Sequence, residues 1–165
     1  MVPYTMACIY ENFRINPVFT MPLPRKIMTP GGLVIQGCQI PQKVRLNDLK
    51  ESPKSNNKKT TVFSLNHVVH HNPSVWGKNH DQFNPDRFLG PDSKQLQGYL
   101  SPFSTGHRMC IGKNMAMMNI LKVVSTVLRN YKMDMVHPEE AVDTLTVGIS
   151  DKKGGLMCRI SRRWS

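Results

Sequence analysis

Apolar residues recur at intervals of three and four from Ile111 to Tyr131, at Ile111, Met115, Met118, Leu121, Val124, Leu128 and Tyr131. That spacing predicts a long helix with one buried stripe, and His137-Pro138 stops the region. A second helix is predicted over residues 2–16. There Tyr4, Ala7, Cys8, Phe13 and Ile15 supply apolar surface, and the ring of Pro17 excludes the residue before it from the α region. Between residues 18 and 42, Gly31-Gly32 after Pro30 marks a turn between two short strands, a small sheet that Arg25 enters from one strand. Residues 145–149 and 155–160, separated by Asp151-Lys152-Lys153-Gly154, read as a hairpin. Residues 77–101 read as an irregular meander anchored by Phe83 and Phe88.

The stretch 43–59 breaks this pattern. It carries six basic residues (Lys43, Arg45, Lys50, Lys54, Lys58, Lys59) against Asp48 and Glu51, and only Val44, Leu46 and Leu49 are apolar. Such a segment cannot bury enough surface to offset its ordering entropy, so a solvated, disordered insert is expected, a retained intron being one origin. The basic tail with Arg159, Arg162 and Arg163 reads as a solvated end.

Composition narrows the function classes. The 165 residues are enough for one domain with a real core, and 12 Pro with 11 Gly imply many turns. A net charge of +11 permits binding to nucleic acid or an anionic membrane. Much of the excess lies in the insert and the tail, however, and no binding motif accompanies it, so a nucleic-acid binder is a remote alternative. The four cysteines, Cys8, Cys38, Cys110 and Cys158, are too dispersed for a structural zinc site or a small disulfide framework. No apolar run reaches the ~18–20 residues of a membrane span, and no secretory leader opens the chain.

The candidate chemistry gathers at Phe103-Ser104-Thr105-Gly106-His107-Arg108-Met109-Cys110-Ile111-Gly112. Cys110 stands where a Gly- and Arg-containing loop turns into a helix. A helix N-terminus and the permanent cation of Arg108 both favour a thiolate. Gly106 and Gly112 permit positive φ and close approach of a flat ligand, and Phe103 offers an apolar wall. On these residues alone three readings stay open: a small buried hydrophobe, a nucleophile lacking an assured base, and an iron ligand. Elsewhere, Glu11 and Arg14 share one helix face and can pair. Arg25 by itself is an ordinary surface charge. His67, His70 and His71 lie within five residues with no acidic or Cys ligand beside them, which favours structural histidines over a metal site.

The pattern Phe-x-x-Gly-x-Arg-x-Cys-x-Gly is filled at every fixed position and resembles the haem-binding loop of the cytochromes P450. Glu11-Asn12-Phe13-Arg14 resembles the family's Glu-x-x-Arg, and Pro85-Asp86-Arg87-Phe88 its Pro-x-Arg-Phe. The resemblance implies a mainly α fold with small β-sheets, of which this chain is the C-terminal, incomplete portion. It implies haem b with Cys110 as the axial iron ligand, Arg108, Arg25 and His107 as propionate contacts, and Glu11, Arg14 and Arg87 as a structural triad. It further implies a monooxygenase that takes electrons from an NADPH-dependent reductase and oxidises a small organic substrate, of secondary-metabolite or lipid-like type.

The same resemblance covers only about the last third of a family member. The oxygen-activating helix with its acid–alcohol pair, most substrate-pocket segments and the reductase-docking helix have no counterpart among these residues, so no catalytic residue is assigned. The expectation is a truncated chain with little turnover of its own. The alternative is a non-enzymatic haem-binding remnant or gene fragment. Family members usually sit at the endoplasmic-reticulum membrane; with no anchor visible, the cytoplasm is the other location to consider.

Overall fold

The computed structural model describes residues 3–44, 58–140 and 144–164. Two compact units make up the chain: Pro22–Leu65, and Met1–Met21 together with Asn66–Ser165. Helices and short strands are mixed, and every strand among the described residues belongs to a two-stranded antiparallel ribbon. Among the same residues no helix is long and apolar enough to cross a membrane.

In the larger unit, α1 (Pro3–Ile15) opens with a proline, whose missing N–H costs nothing in a first turn. It buries Ala7, Ile9, Glu11, Phe13 and Arg14. Next come the short α2 (Asn66–His70) and α3 (Pro73–Trp76). Asn72 caps α3 by accepting from the Ser74 N–H at 3.0 Å, and Gly77 ends it at φ +80°. Asn84 likewise caps a 3-10 turn over Pro85–Phe88, accepting from Asp86 N–H at 3.1 Å. α4 (Ser93–Gly98) follows. Ala7, Trp76 and Phe88 form the core here, with Tyr10, Val75, Leu96 and Leu100 packed around them. The Tyr10 and Trp76 rings lie 5.6 and 6.1 Å from that of Phe88, and the Trp76 indole N–H is satisfied by the Val69 carbonyl at 2.9 Å.

The long helix is α5 (Lys113–Asn130), but only Leu121, Val124 and Tyr131 of the predicted buried stripe are partly covered. Ala116, Met117, Ile120, Leu121, Val124 and Val127 are the half-buried positions, whereas Met115, Met118 and Leu128 are exposed and Ile111 entirely so. The helix is apolar on two sides, and a period of three and four cannot say which side finds a partner.

The C-terminal pairing also differs from expectation. β8 (Thr144–Val147) turns at Gly148, φ +86°, into β9 (Ile149–Lys152). β10 (Cys158–Arg162) instead pairs with β7 (Tyr131–Met135), which continues directly from α5. Arg159 and Arg162 of the expected solvated tail are thus strand residues, although their side chains are exposed. The reason is local: a one-glycine reversal closes β8 onto the chain just after it, leaving the later strand free for β7.

The smaller unit holds β1 (Arg25–Lys26) paired with β6 (Thr61–Val62), and a hairpin of β2 (Leu33–Ile35) and β3 (Cys38–Ile40). The hairpin reverses at Gln36-Gly37, both at positive φ as a tight two-residue turn demands. Gly31-Gly32 makes a separate turn between β1 and β2, the Gly32 N–H reaching Thr29 O at 2.9 Å. A Cβ on Gly32 would run into the Ile40 carbonyl oxygen. The ends of the expected insert pair as β4 (Lys43–Val44) and β5 (Lys58–Lys59). Its residues 45–57 lie outside the described residues.

Truncating Phe88 removes the ring that joins α1, α3 and α4. Phe88→Ala is expected to lower unfolding stability by about 3–5 kcal/mol, measured by urea titration of the full chain.

Candidate functional site

Two structures in the larger unit bear on function: a buried charge cluster and the loop that presents Cys110. The cluster starts from α1, where a spacing of three puts Glu11 and Arg14 on one face. Both are fully buried. Arg14 Nε and Nη2 donate to the two carboxylate oxygens of Glu11 at 2.7 and 2.8 Å, a bidentate pair. Its remaining donors reach backbone carbonyls: Nη1 to His70 at 2.9 Å and His80 at 2.5 Å, Nη2 to Gln82 at 3.1 Å. A guanidinium has five N–H groups, and here each has an acceptor. The cation also lies 5.3 Å from the centroid of the Trp76 ring.

Arg87 approaches from the 3-10 turn. Its Nε is 3.5 Å from Glu11 Oε1, its Nη1 donates to Trp76 O at 2.6 Å, and its Nη2 to Asn79 O. Glu11 Oε1 also accepts the Asn84 N–H at 2.8 Å. Glu11, Arg14 and Arg87, separated by up to 76 residues in sequence (87 minus 11), therefore meet at one carboxylate.

The Cys110 loop is fixed by backbone bonds. Ser104 N–H donates to Ser101 O at 3.0 Å, and Cys110 N–H to Phe103 O at 2.9 Å, closing the loop on itself. A 3-10 turn, Gly106–Arg108, lies between them. Ser104 at φ +61° and Gly106 at φ +71° are both left-handed, a conformation glycine adopts freely and serine does not. Lys113 N–H then reaches Cys110 O at 3.3 Å, and Gly112 caps α5. A Cβ on Gly112 would sit 3.8 Å from Cys110 Sγ.

Cys110 is exposed, which removes the reading of it as a small buried hydrophobe. Its apolar neighbours Met109 and Ile111 are exposed with it, and so is Met115 in the first turn of α5. Phe103, expected as a wall for the sulfur, packs edge-on against Phe13 with ring centroids 5.6 Å apart. His107 and Arg108 are exposed beside Cys110 in sequence. Arg25 belongs to the other unit, exposed on β1, with Nη1 donating to Pro24 O at 3.2 Å.

Sequence reading treated the three histidines alike, but they differ. His67 and His71 stack on the surface side, ring centroids 4.1 Å apart. His70 is fully buried. Burial, and then the charge of His71, push its pKa down to about 4, against the Phe13 carbonyl, which works the other way. Its Nε2 accepts the Ser101 N–H at 3.2 Å. Asn66 and Ser101, which complete this contact, were not singled out from sequence; they lie 35 residues apart and no periodicity links them.

A sequence model of the family described as Cytochrome P450 matches residues 1–158. Among curated proteins, the chain is 29% identical over 140 residues to cytochrome P450 monooxygenase asR2 of Sarocladium schorii, covering 84% of this chain and 24% of that protein. It is 31% identical over 141 residues to cytochrome P450 monooxygenase cicH of Emericella nidulans, covering 84% and 25%. With cytochrome P450 monooxygenase mpaDE of Penicillium roqueforti the identity is 30% over 141 residues, covering 84% and 15%. The chain thus spans a quarter or less of the length of these relatives.

Two outcomes test the site's electrostatics. Glu11→Gln leaves a buried and a half-buried guanidinium without a counter-charge and is expected to cost about 3–5 kcal/mol of unfolding free energy, read from urea titration. The second concerns His70, whose folded pKa lies below the ordinary value of 6.5. Its contribution is complete above about pH 6.5 and is lost as pH falls toward about 4, because only the unfolded chain takes up the proton. The loss is on the order of 3 kcal/mol. Unfolding free energies measured across that window should therefore fall more steeply for the native chain than for His70→Gln.

Proposed function

Because the chain belongs to the cytochrome P450 family, we propose that it carries the haem-thiolate centre of a monooxygenase, with Cys110 as the axial ligand of haem b iron. The observation that carries this reading is the way Cys110 is presented: a thiol open to a ligand, at the end of a loop locked by the Phe103–Cys110 backbone bond. The surroundings suit a flat apolar macrocycle. Met109, Ile111 and Met115 are exposed apolar side chains on the same stretch.

In this reading Arg108, and with it His107, neutralise the carboxylates at the edge of the macrocycle. Glu11, Arg14 and Arg87 support the loop without touching the reacting atoms. Bound haem supplies the redox and oxygen chemistry, which in this family is promoted by electron donation from the thiolate. The chain's own part is to hold the thiolate in place and to present an apolar face. The longer enzyme would take electrons from an NADPH-dependent reductase and insert oxygen into a small organic substrate.

For these 165 residues by themselves we propose haem binding without turnover. The chain spans a quarter or less of the length of its curated relatives, and none of its described residues is assigned a catalytic role.

Reconstitution with hemin tests both parts. The native chain is expected to give the red-shifted ferrous–CO band of thiolate ligation, and Cys110→Ala to lose it. An unchanged band in that variant would sink the assignment. Addition of a reductase and NADPH should yield no substrate oxidation by the native chain.

A further inference from the structure

We infer that Asn66 and His70 of α2 form a clasp that positions the Cys110 loop, with His70 Nε2 as the acceptor on which the clasp depends. The inference deepens the haem-thiolate reading, since it says what holds the proposed ligand in place.

The clasp closes on Ser101, three residues before the loop turns left-handed at Ser104. All the polar groups of Ser101 are engaged. Its N–H donates to His70 Nε2 at 3.2 Å, its Oγ–H to Asn66 Oδ1 at 2.8 Å, and its carbonyl accepts from Asn66 Nδ2 at 3.3 Å. Positions four apart on a helical turn face the same way, so Asn66 and His70 reach the residue together. The Ser101 carbonyl also accepts the Ser104 N–H at 3.0 Å, so the clasp bears directly on the first bond of the loop. Phe103, between them, sets its ring against Phe13 and its carbonyl against the Cys110 N–H.

On its other side His70 is tied to the charge cluster, its carbonyl accepting Arg14 Nη1 at 2.9 Å. An unbroken series of hydrogen bonds and backbone connections therefore runs from the Glu11–Arg14 pair through His70 and Ser101 to the Cys110 amide. The imidazole can serve only while Nε2 is unprotonated, and full burial among these partners favours that form. Serine takes up the left-handed conformation only under strain. A held Ser101 restricts the escape of this strained segment to relaxed conformations, which would move Cys110.

Amide exchange measured by NMR on the full chain without haem tests the clasp. In His70→Leu the amides of Ser104 and Cys110, neither bonded to His70, are expected to exchange about tenfold faster, as the loss of one restraining hydrogen bond allows. The Asn84 amide, held by Glu11, should keep its native rate. His70→Gln restores an acceptor near Nε2 and should bring both loop amides back to within about twofold of the native rate. If His70→Leu does not fold, Asn66→Ala takes its place and the same contrast between Cys110 and Asn84 decides. Unchanged loop amides overturn the clasp. Equal acceleration at Asn84 overturns it too, by showing only general loosening, and so does a Gln variant that behaves like Leu. None of these readings needs haem, so a missing thiolate spectrum would overturn the cofactor assignment and leave the clasp standing.

Discussion

The Glu11–Arg14 ion pair is the constraint on which the larger unit depends. Two fully buried charges carry a heavy desolvation cost, and mutual attraction alone rarely repays it. What makes this pair tenable is the use of every donor. Arg14 gives two N–H groups to the carboxylate and three to carbonyls of residues 70, 80 and 82, while Arg87 adds carbonyls 76 and 79. Those carbonyls lie in a stretch of short helices and turns, where the backbone offers itself few regular partners. Buried carbonyls must be paired somewhere, and here two guanidiniums do what a ladder of strands does elsewhere.

A hydrophobic replacement for such a cluster can be neutral when the charges serve only one another. It could not be neutral here, because removing Arg14 takes the donor from the carbonyls of His70, His80 and Gln82, and removing Arg87 takes it from that of Trp76. Excess positive charge at the site, two cations to one carboxylate, is offset by the same carbonyl dipoles. The Trp76 ring face adds to this, contributing to the core and to the cation at once.

Part of this site was legible in the sequence. The spacing of Glu11 and Arg14 shows that the two can pair, but Arg87 was joined to them only by the family resemblance, since nothing local links it to a residue 76 positions earlier. Cys110 between Gly106 and Gly112 is conspicuous. The fold was less legible where apolar spacing had two solutions. Met115 and Met118 fit a buried stripe as well as Met117 and Ile120 do, and only the neighbours present in space decide between them. The β7–β10 pairing was hidden for a different reason. Its partners are separated by a whole hairpin, and with the helix expected to run to about Tyr131 the residues just after it were assigned to no strand. Ser101, with no signal of its own, acquires importance only from Asn66 and His70.

A loop that offers a thiolate to a metal must satisfy two opposed demands. It has to be rigid, because a ligand free to swing loses the orientation that makes it useful, and it has to leave its outer face open for the ligand's bulk. On the proposed haem-thiolate reading, the loop divides these demands between what packs against it and what it exposes. Behind it lie Phe13, the Ser101 hydrogen bonds and the carboxylate–guanidinium cluster, all buried or half-buried. In front lie Met109, Ile111 and Met115, fully or largely exposed. An apolar face exposed on that scale is unfavourable in water, and Ile111 shows the cost most plainly: a β-branched side chain in full contact with solvent, one residue after the thiol. The cost is coherent if that face is where the macrocycle lies, since the surface that is unfavourable in the bare chain is the surface a flat apolar ligand would cover.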